Sequence, residues 1–183
     1  MDYRREQALI LDNTRARLAG RPAANVLLTG DAGTGKSSTI KAVVNELYSQ
    51  GLRIIEVRKE LLRSIPALLD ELTDNPLKFI LFIDDLSFQK GDDRYSALKA
   101  VLEGSVSAKS RNVAIYATSN RRHLVRETFS DREGDDVHRG ETMQEMISLS
   151  ERFGLHVTFQ KPNKETYLEI VRRLAEARGA QLE

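Results

Sequence analysis

The sequence contains no cysteine among its 183 residues. A disulfide framework and a thiolate metal site are therefore both excluded. Long apolar runs are also missing, because stretches such as FILFI (Phe79–Ile83) are far too short to cross a bilayer. The charged amino terminus lacks the layout of a signal peptide. These absences together predict a cytoplasmic protein that does not enter a membrane.

Excess charge of either sign is lacking as well, since 28 Lys and Arg against 27 Asp and Glu leave a net charge of +1. Such a balance gives the whole chain no attraction to nucleic acid or to a membrane surface. The content of 40% apolar and 30% charged residues is ordinary for a globular protein. A chain of this length fits one medium domain with a sizeable core.

Short apolar strands alternate with helical patterns along the chain. The predicted strands cover residues 25–29, 52–57, 79–85, 112–118 and 155–159. This alternation predicts an α/β fold with a mostly parallel sheet, in which ligands bind beyond the carboxyl ends of the strands. Residues 121–140 are polar and predict a long loop or an irregular insertion. Met143, Met146 and Ile147 predict a short helix after it.

Glycine is scarce, with 11 in all, yet three glycines fall within six residues of GDAGTGKSS (Gly30–Ser38). The segment satisfies the P-loop pattern Gly-x₄-Gly-Lys-Ser and lies between a predicted strand and a predicted helix. Gly33 and Gly35 can adopt positive φ, which turns successive N–H groups inward as an anion-binding nest. The helix that follows directs its positive end to the same place.

Each polar residue of this loop has a predicted task at a nucleotide. Lys36 supplies a cation for the β- and γ-phosphates, and Ser37 supplies a hydroxyl for the bridging Mg²⁺. Thr34 and Ser38 contribute backbone N–H groups or secondary phosphate contacts. The alternative is a glycine-rich turn with a chance lysine, which the flanking strand and helix disfavour. The predicted nucleotide-binding residues are Gly30, Asp31, Ala32, Gly33, Thr34, Gly35, Lys36, Ser37 and Ser38.

The most apolar predicted strand, residues 79–85, ends in two aspartates, in the arrangement called Walker B. Asp84 is predicted to hold Mg²⁺ together with Ser37. Asp85 is predicted to orient or deprotonate the attacking water as a general base. Taken alone, two aspartates after a strand are usually a solvated strand end or a helix cap. An upstream P-loop in the same sheet favours the functional interpretation.

Two further residues are candidates for contact with the γ-phosphate. Asn120, after the fourth strand, matches the role called sensor 1, which contacts the γ-phosphate or the attacking water. Its alternative is a turn-forming asparagine. Arg152 in SERFG is a candidate arginine finger for the ATP of a neighbouring subunit. A helix-terminal arginine that meets the helix dipole is an equally good interpretation of Arg152.

Four segments in this order resemble the AAA+ branch of P-loop ATPases: GDAGTGKSS, FILFIDD, YATSN and SERFG. The sequence is similar in particular to a bacterial group of single-module AAA+ ATP-binding proteins catalogued as a domain of unknown function. The strings NTRARLAGRPAANVLLTG, IDDLSF, YSALKAVLEG, ATSNRRHL and SLSERFGL carry this likeness. The likeness extends over nearly the whole chain.

The resemblance implies a three-layer fold with strand order 5-1-4-3-2 and an assembly into rings or filaments, with Arg152 acting in trans. It also draws attention to Arg121 and Arg122. The implied domains are an N-terminal helix and linker (residues 1–22), a nucleotide-binding core (23–161) and the start of a truncated helical lid (162–183). The lid arginines, any of which could be the residue called sensor 2, are Arg172, Arg173 and Arg178.

The sequence departs from the family pattern at Asp85, where most AAA+ proteins carry glutamate. The loss of one methylene pulls the carboxylate back by roughly 1.5 Å. We therefore expect an ATP-binding module whose Mg²⁺-dependent hydrolysis is slow and drives oligomer assembly or the remodelling of a protein or nucleic-acid partner. The alternative is a nucleotide-dependent binding switch with little hydrolysis, similar to replication initiators or helicase loaders. A small-molecule kinase is a third and weaker interpretation.

Overall fold

The computed structural model describes residues 3–88, 92–104, 111–120, 148–161, 163–177 and 179. Two 3₁₀ helices, Tyr48–Gln50 and Lys59–Ser64, accompany the regular elements. The predicted loop at 121–140, the predicted helix around Met143, and Arg178 lie outside the described residues. The regular elements are α1 (Arg4–Leu18), β1 (Val26–Gly30), α2 (Lys36–Leu47), β2 (Leu52–Glu56), α3 (Ile65–Leu72), β3 (Lys78–Ile83), α4 (Arg94–Gly104), β4 (Val113–Ser119), β5 (Leu155–Phe159) and α5 (Lys164–Ala177).

The described strands form one parallel sheet in the order β2-β3-β4-β1-β5. Read from the other edge, this is the predicted order 5-1-4-3-2, so the prediction of the α/β fold and its topology is confirmed. All seven residues of β4 are buried, as are five of the six in β3. Strands covered on both faces read as unbroken apolar runs, which explains why their sequences show no polar alternation.

Helices cover both faces of the sheet and give three layers. On one face, α1 and α2 pack against the side chains of Val26, Leu28, Ile80, Phe82 and Tyr116. On the other face, α3 and α4 pack against Leu27, Leu81, Ile83, Val113 and Ile115. Among the described residues, no helix has both the length and the apolar character that a membrane span requires.

Two element boundaries have clear physical causes. The fixed φ of proline suits the first turn of a helix, and the structure changes after Ser64 from the 3₁₀ helix Lys59–Ser64 to α3, with Pro66 in its first turn. The predicted third strand included Asp84 and Asp85, but β3 ends at Ile83. Asp85 has φ +51°, which is incompatible with an extended strand. Both carboxylates therefore stand beyond the strand.

A buried hydroxyl fastens α1 to the sheet. Tyr116 Oη, inside β4, lies 2.7 Å from Thr14 Oγ1 and accepts a hydrogen bond of 3.0 Å from Asn13 Nδ2. Burial raises the pKa of Tyr116, and its hydrogen bonds with Thr14 and Asn13 oppose that rise. The N-terminal segment therefore packs on the sheet through a buried polar contact, while the domain boundaries at 22 and 161 stay a prediction.

We expect Tyr116→Phe to lower the free energy of unfolding by about 1–2 kcal/mol, because it removes the hydrogen bonds that the Tyr116 hydroxyl makes with buried Thr14 and half-buried Asn13. Urea denaturation followed by circular dichroism measures this. Tyr48→Phe is the matched control, since Tyr48 is exposed and its change should stay within about 0.5 kcal/mol. Equal effects of the two substitutions would contradict the role of the Tyr116 hydroxyl.

Candidate functional site

The carboxyl ends of neighbouring parallel strands meet at one edge of the sheet, and the predicted site residues collect there. β1 and β4 pair with Thr29 opposite Ser119, while β3 and β4 pair with Ile83 opposite Ala117. The residues that follow these strands are the P-loop, the two aspartates and Asn120. The structure thus brings three of the four predicted motifs together at the edge where α/β proteins bind ligands.

The P-loop backbone takes the shape that its glycines predict. Gly33 and Gly35 have φ +76° and +89°, and a Cβ added at either would meet no atom within 4 Å. Glycine is therefore required there by the backbone conformation and not by crowding. Gly30 is different, because an added Cβ would lie 2.0 Å from the carbonyl oxygen of Phe159 in β5.

The amino end of α2 is open to an anion. Gly35 is its N-cap residue, no side chain caps the helix, and its first turn contains no acidic residue. The first N–H groups of a helix have no partners within the helix, and its positive end favours an anion. The side chain of Thr34 instead donates to the carbonyl oxygen of Asp31 at 2.8 Å, which braces the loop from within.

Lys36 lies under the loop with only 4% of its surface exposed. Its Nζ donates to the carbonyl oxygens of Gly30 and Asp31 at 2.8 and 2.7 Å. An ammonium has three N–H donors, so one remains beyond these two bonds. Burial lowers the pKa of Lys36, and the carboxylates of Asp31, Asp84 and Asp85 oppose that lowering.

Ser37 and Asp84 provide oxygens side by side at the start of α2 and the end of β3. Ser37 Oγ donates to Asp84 Oδ1 at 2.7 Å. The same carboxylate oxygen accepts from Thr118 Oγ1 at 2.5 Å and from the amide of Asp85 at 3.2 Å. A hydroxyl next to a carboxylate is a hard oxygen pair of the kind that Mg²⁺ prefers.

The donor set also matches the way Mg²⁺ is usually bound. In the part of the chain that the structure describes, no group of three or more His, Cys, Asp or Glu side chains could hold a metal ion. Mg²⁺ commonly takes only one or two protein ligands and fills its other positions with phosphate oxygens and water. Ser37 and Asp84 beside an anion-binding loop therefore fit a magnesium–phosphate group.

Asp85 is held by three side chains. Its amide donates to Thr118 Oγ1 at 2.9 Å, and its Oδ1 accepts from Asn120 Nδ2 at 2.8 Å. Its Oδ2 lies 3.9 Å from Lys59 Nζ, which also donates to Ser87 Oγ at 3.1 Å. Asn120 therefore contacts the predicted general base directly.

Thr118 and Lys59 were missed by reasoning from the sequence. Thr118 stands in an apolar strand of β-forming residues, where a threonine is unremarkable. Lys59 follows β2, and the pairing of β2 with β3 was the signal that could have found it, because it brings the end of β2 beside Asp85. Both residues contact Asp85 and belong to the candidate site.

Arg152, the predicted finger, has partners within its own chain. Its Nε donates to Glu103 Oε1 at 2.8 Å, and its Nη1 donates to the carbonyl oxygen of Ser148 at 2.5 Å. These contacts join it to α4 and not to the P-loop. Both interpretations of Arg152, as a finger for a neighbouring subunit and as a structural arginine, are compatible with them.

The whole chain, residues 1–183, matches one family model, described as "Protein of unknown function (DUF815)". The chain belongs to this family. No curated protein matches the sequence.

The fold is similar to that of several solved structures. It resembles Orc1 from Aeropyrum pernix in a complex with DNA (TM-score 0.64, 16% identity, covering 97% of this chain and 49% of that chain). It also resembles the RuvB Holliday junction branch migration motor of Thermotoga maritima, with a TM-score of 0.58 and 19% identity over 100% of this chain and 53% of that chain. A third similar structure is AMPPCP-bound DnaA of Aquifex aeolicus, with a TM-score of 0.57 and 16% identity over 94% of this chain and 51% of that chain. The chain thus spans about half the length of these proteins and has the AAA+ fold.

Proposed function

We propose that this chain binds ATP and hydrolyses it with Mg²⁺, and that the nucleotide controls oligomer assembly or the remodelling of a partner. The observation that carries the proposal is the 2.7 Å contact between Ser37 of the P-loop and Asp84 at the end of β3. This contact joins an anion-binding loop to a carboxylate, which is what a triphosphate with its metal requires.

The P-loop residues bind and orient the triphosphate. The open amino end of α2 and the backbone N–H groups of residues 31–38 face the phosphate oxygens, and Lys36 contacts the β- and γ-phosphates with its ammonium. Ser37 and Asp84 would hold Mg²⁺, which when bound neutralises charge on the β- and γ-phosphates. The loop thus holds the chain of phosphates at the carboxyl edge of the sheet.

Asp85 acts on the attacking water, and Asn120 acts on Asp85. Asp85 orients the water or accepts its proton as the water oxygen bonds to the γ-phosphorus. The bond between that phosphorus and the oxygen it shares with the β-phosphate breaks, and that oxygen leaves with ADP. Asn120 keeps the carboxylate in place through the 2.8 Å bond from its amide. Because the aspartate is one methylene shorter than the usual glutamate, we expect slow turnover.

A second candidate is a binding switch that senses ATP with little hydrolysis. The contacts of Asp85 favour this candidate, because each of its carboxylate oxygens already has a partner in the protein. Oδ1 accepts from Asn120, and Oδ2 lies near the ammonium of Lys59. The likeness to DnaA and to the DNA complex of Orc1 supports the same candidate. Duplex DNA binding that appears only with ATP would favour this switch.

Calorimetric titration with ATP, in Mg²⁺ and in EDTA, tests the proposal together with an assay of phosphate release. We expect saturable ATP binding that is tighter with Mg²⁺, and a measurable release of phosphate that stops in EDTA. Binding without release would replace the ATPase with the switch. An absence of ATP binding under both conditions would overturn both candidates.

The proposal also predicts that Arg152→Ala abolishes an oligomer that forms with a slowly hydrolysed ATP analogue, because the finger would complete a neighbour's site. Light scattering with and without the analogue measures this. Arg15→Ala is the control, since Arg15 forms an exposed ion pair with Glu46 on the surface of α1 and α2. An oligomer of unchanged size in Arg152→Ala would leave Arg152 a structural residue.

A further inference from the structure

Thr118 lies in β4, beside the turn that carries the two aspartates. It follows Ala117, which pairs with Ile83, the last residue of β3. Its side chain is buried, with 2% of its surface exposed. The hydroxyl of Thr118 contacts Asp84, the residue that follows the end of β3.

One hydroxyl makes two different hydrogen bonds there. Thr118 Oγ1 donates its proton to Asp84 Oδ1 at 2.5 Å and accepts the amide proton of Asp85 at 2.9 Å. A hydroxyl has one hydrogen and two lone pairs, so a single group can satisfy both bonds. The carbonyl oxygen of Thr118 also accepts from the amide of Leu86 at 2.6 Å. The turn from Asp84 to Leu86 is thus fastened to one residue of β4.

The bond to Asp85 supports an uncommon backbone conformation. Asp85 is the one described residue other than glycine with a positive φ, +51°. A side chain disfavours this region, so the conformation persists only where neighbouring contacts hold it. The Thr118 bond to the Asp85 amide is such a contact, and it sets the direction in which the Asp85 carboxylate leaves the backbone.

The bond to Asp84 fixes which carboxylate oxygen is occupied. Oδ1 accepts from Thr118, from Ser37 and from the Asp85 amide. Within the described ranges of the chain, no donor reaches Oδ2. The carboxylate is therefore held by one oxygen, and its other oxygen is left for a ligand.

We infer that Thr118 is a positioning residue of the nucleotide site, whose hydroxyl aligns Asp84 toward the metal and Asp85 toward the attacking water. The inference rests on the proposed function. It adds a residue that touches neither nucleotide nor metal and acts through both aspartates at once. Groups that orient a metal ligand commonly affect metal affinity by about 10–100-fold when they are removed.

Two substitutions separate the hydroxyl of Thr118 from its bulk. Thr118→Val keeps the shape and removes the hydroxyl, whereas Thr118→Ser keeps the hydroxyl and removes the methyl group. Electron paramagnetic resonance of Mn²⁺ measures metal affinity in the presence of ADP, and calorimetry in EDTA measures nucleotide affinity without metal. We expect Thr118→Val to weaken Mn²⁺ binding by about 10-fold or more, with ADP affinity in EDTA unchanged and Thr118→Ser close to wild type.

Hydrogen exchange of the Asp85 amide, followed by NMR without nucleotide, gives a second measure that does not depend on the proposed function. We expect faster exchange in Thr118→Val and protection in Thr118→Ser. Thr118→Ala serves as the variant without a hydroxyl if valine prevents folding. Wild-type Mn²⁺ affinity and amide protection in the variant without a hydroxyl, or equal defects in the valine and serine variants, would overturn the inference. A different result would overturn the proposed function and not the alignment of the aspartates by Thr118. In that case the wild type binds no nucleotide, but the Asp85 amide still exchanges faster in Thr118→Val than in Thr118→Ser.

Discussion

Lys36→Ala is expected to weaken the binding of ATP by about 100-fold, which corresponds to about 3 kcal/mol. The lost ammonium would contact two phosphates, and charge-assisted hydrogen bonds are about twice as strong as neutral ones. Calorimetric titration with ATP in Mg²⁺ measures the change. Wild-type affinity in Lys36→Ala would contradict the assignment of the P-loop.

The experiment needs two controls, because Lys36 also donates to the carbonyl oxygens of Gly30 and Asp31. Lys36→Met keeps the bulk of the buried side chain and removes its charge, so it should lose as much affinity as alanine. Lys41→Ala removes an exposed lysine from the same helix and should bind ATP as the wild type does. A defect in alanine but not in methionine would indicate a collapsed loop and not a lost charge.

The fold was predictable because its central strands, β1, β3 and β4, are buried on both faces and its helices alternate with the strands. The runs that formed β3 and β4 are short and rich in β-branched and aromatic residues, which favours strands over buried helices. The strand order followed from the resemblance to AAA+ proteins. The predicted end of β3 was wrong by two residues. The apolar pattern of a sequence does not indicate backbone angles, whereas the positive φ of Asp85 is incompatible with a strand that continues beyond Ile83.

The grouping of the candidate site residues was predictable from the order of the motifs. A lysine and a serine after closely spaced glycines have one common use, and this upstream P-loop gave the two aspartates their functional interpretation. The parallel sheet brings both motifs to one edge. Thr118 could not be found in this way, because its role depends on lying beside Asp84 across the sheet and not on its neighbours in sequence. The bond between Asn120 and Asp85 is a tertiary contact of the same kind.

The partner of Arg152 was hidden for a similar reason. Glu103 lies on α4, 49 residues earlier in the chain, and the two meet only because α4 and the turn before β5 pack on the same face of the sheet. If Arg152 acts in trans as proposed, it has to exchange this ion pair for a phosphate on assembly. An ion pair between residues so far apart in the chain could not be anticipated from the sequence.

Asp85→Asn is expected to lower the rate of ATP hydrolysis by about 100-fold or more, because a general base contributes at least about 100-fold to the rate and the amide cannot accept the proton. The affinity for ATP should stay within about threefold of the wild-type value. Phosphate release at saturating ATP measures the rate, and calorimetry measures the affinity. Asp85→Glu keeps the charge and adds the missing methylene, so it should hydrolyse ATP at least as fast as the wild type.

Asp70→Asn is the control for loss of a charge, because Asp70 is exposed on α3, and it should leave the rate unchanged. A wild-type rate in Asp85→Asn would contradict the role of the general base. If wild type and Asp85→Asn both bind ATP and both release no phosphate above background, hydrolysis is not the output of this site. Asp85 would then be a residue whose contacts with Asn120 and Lys59 report the bound nucleotide, and the binding switch would replace the ATPase.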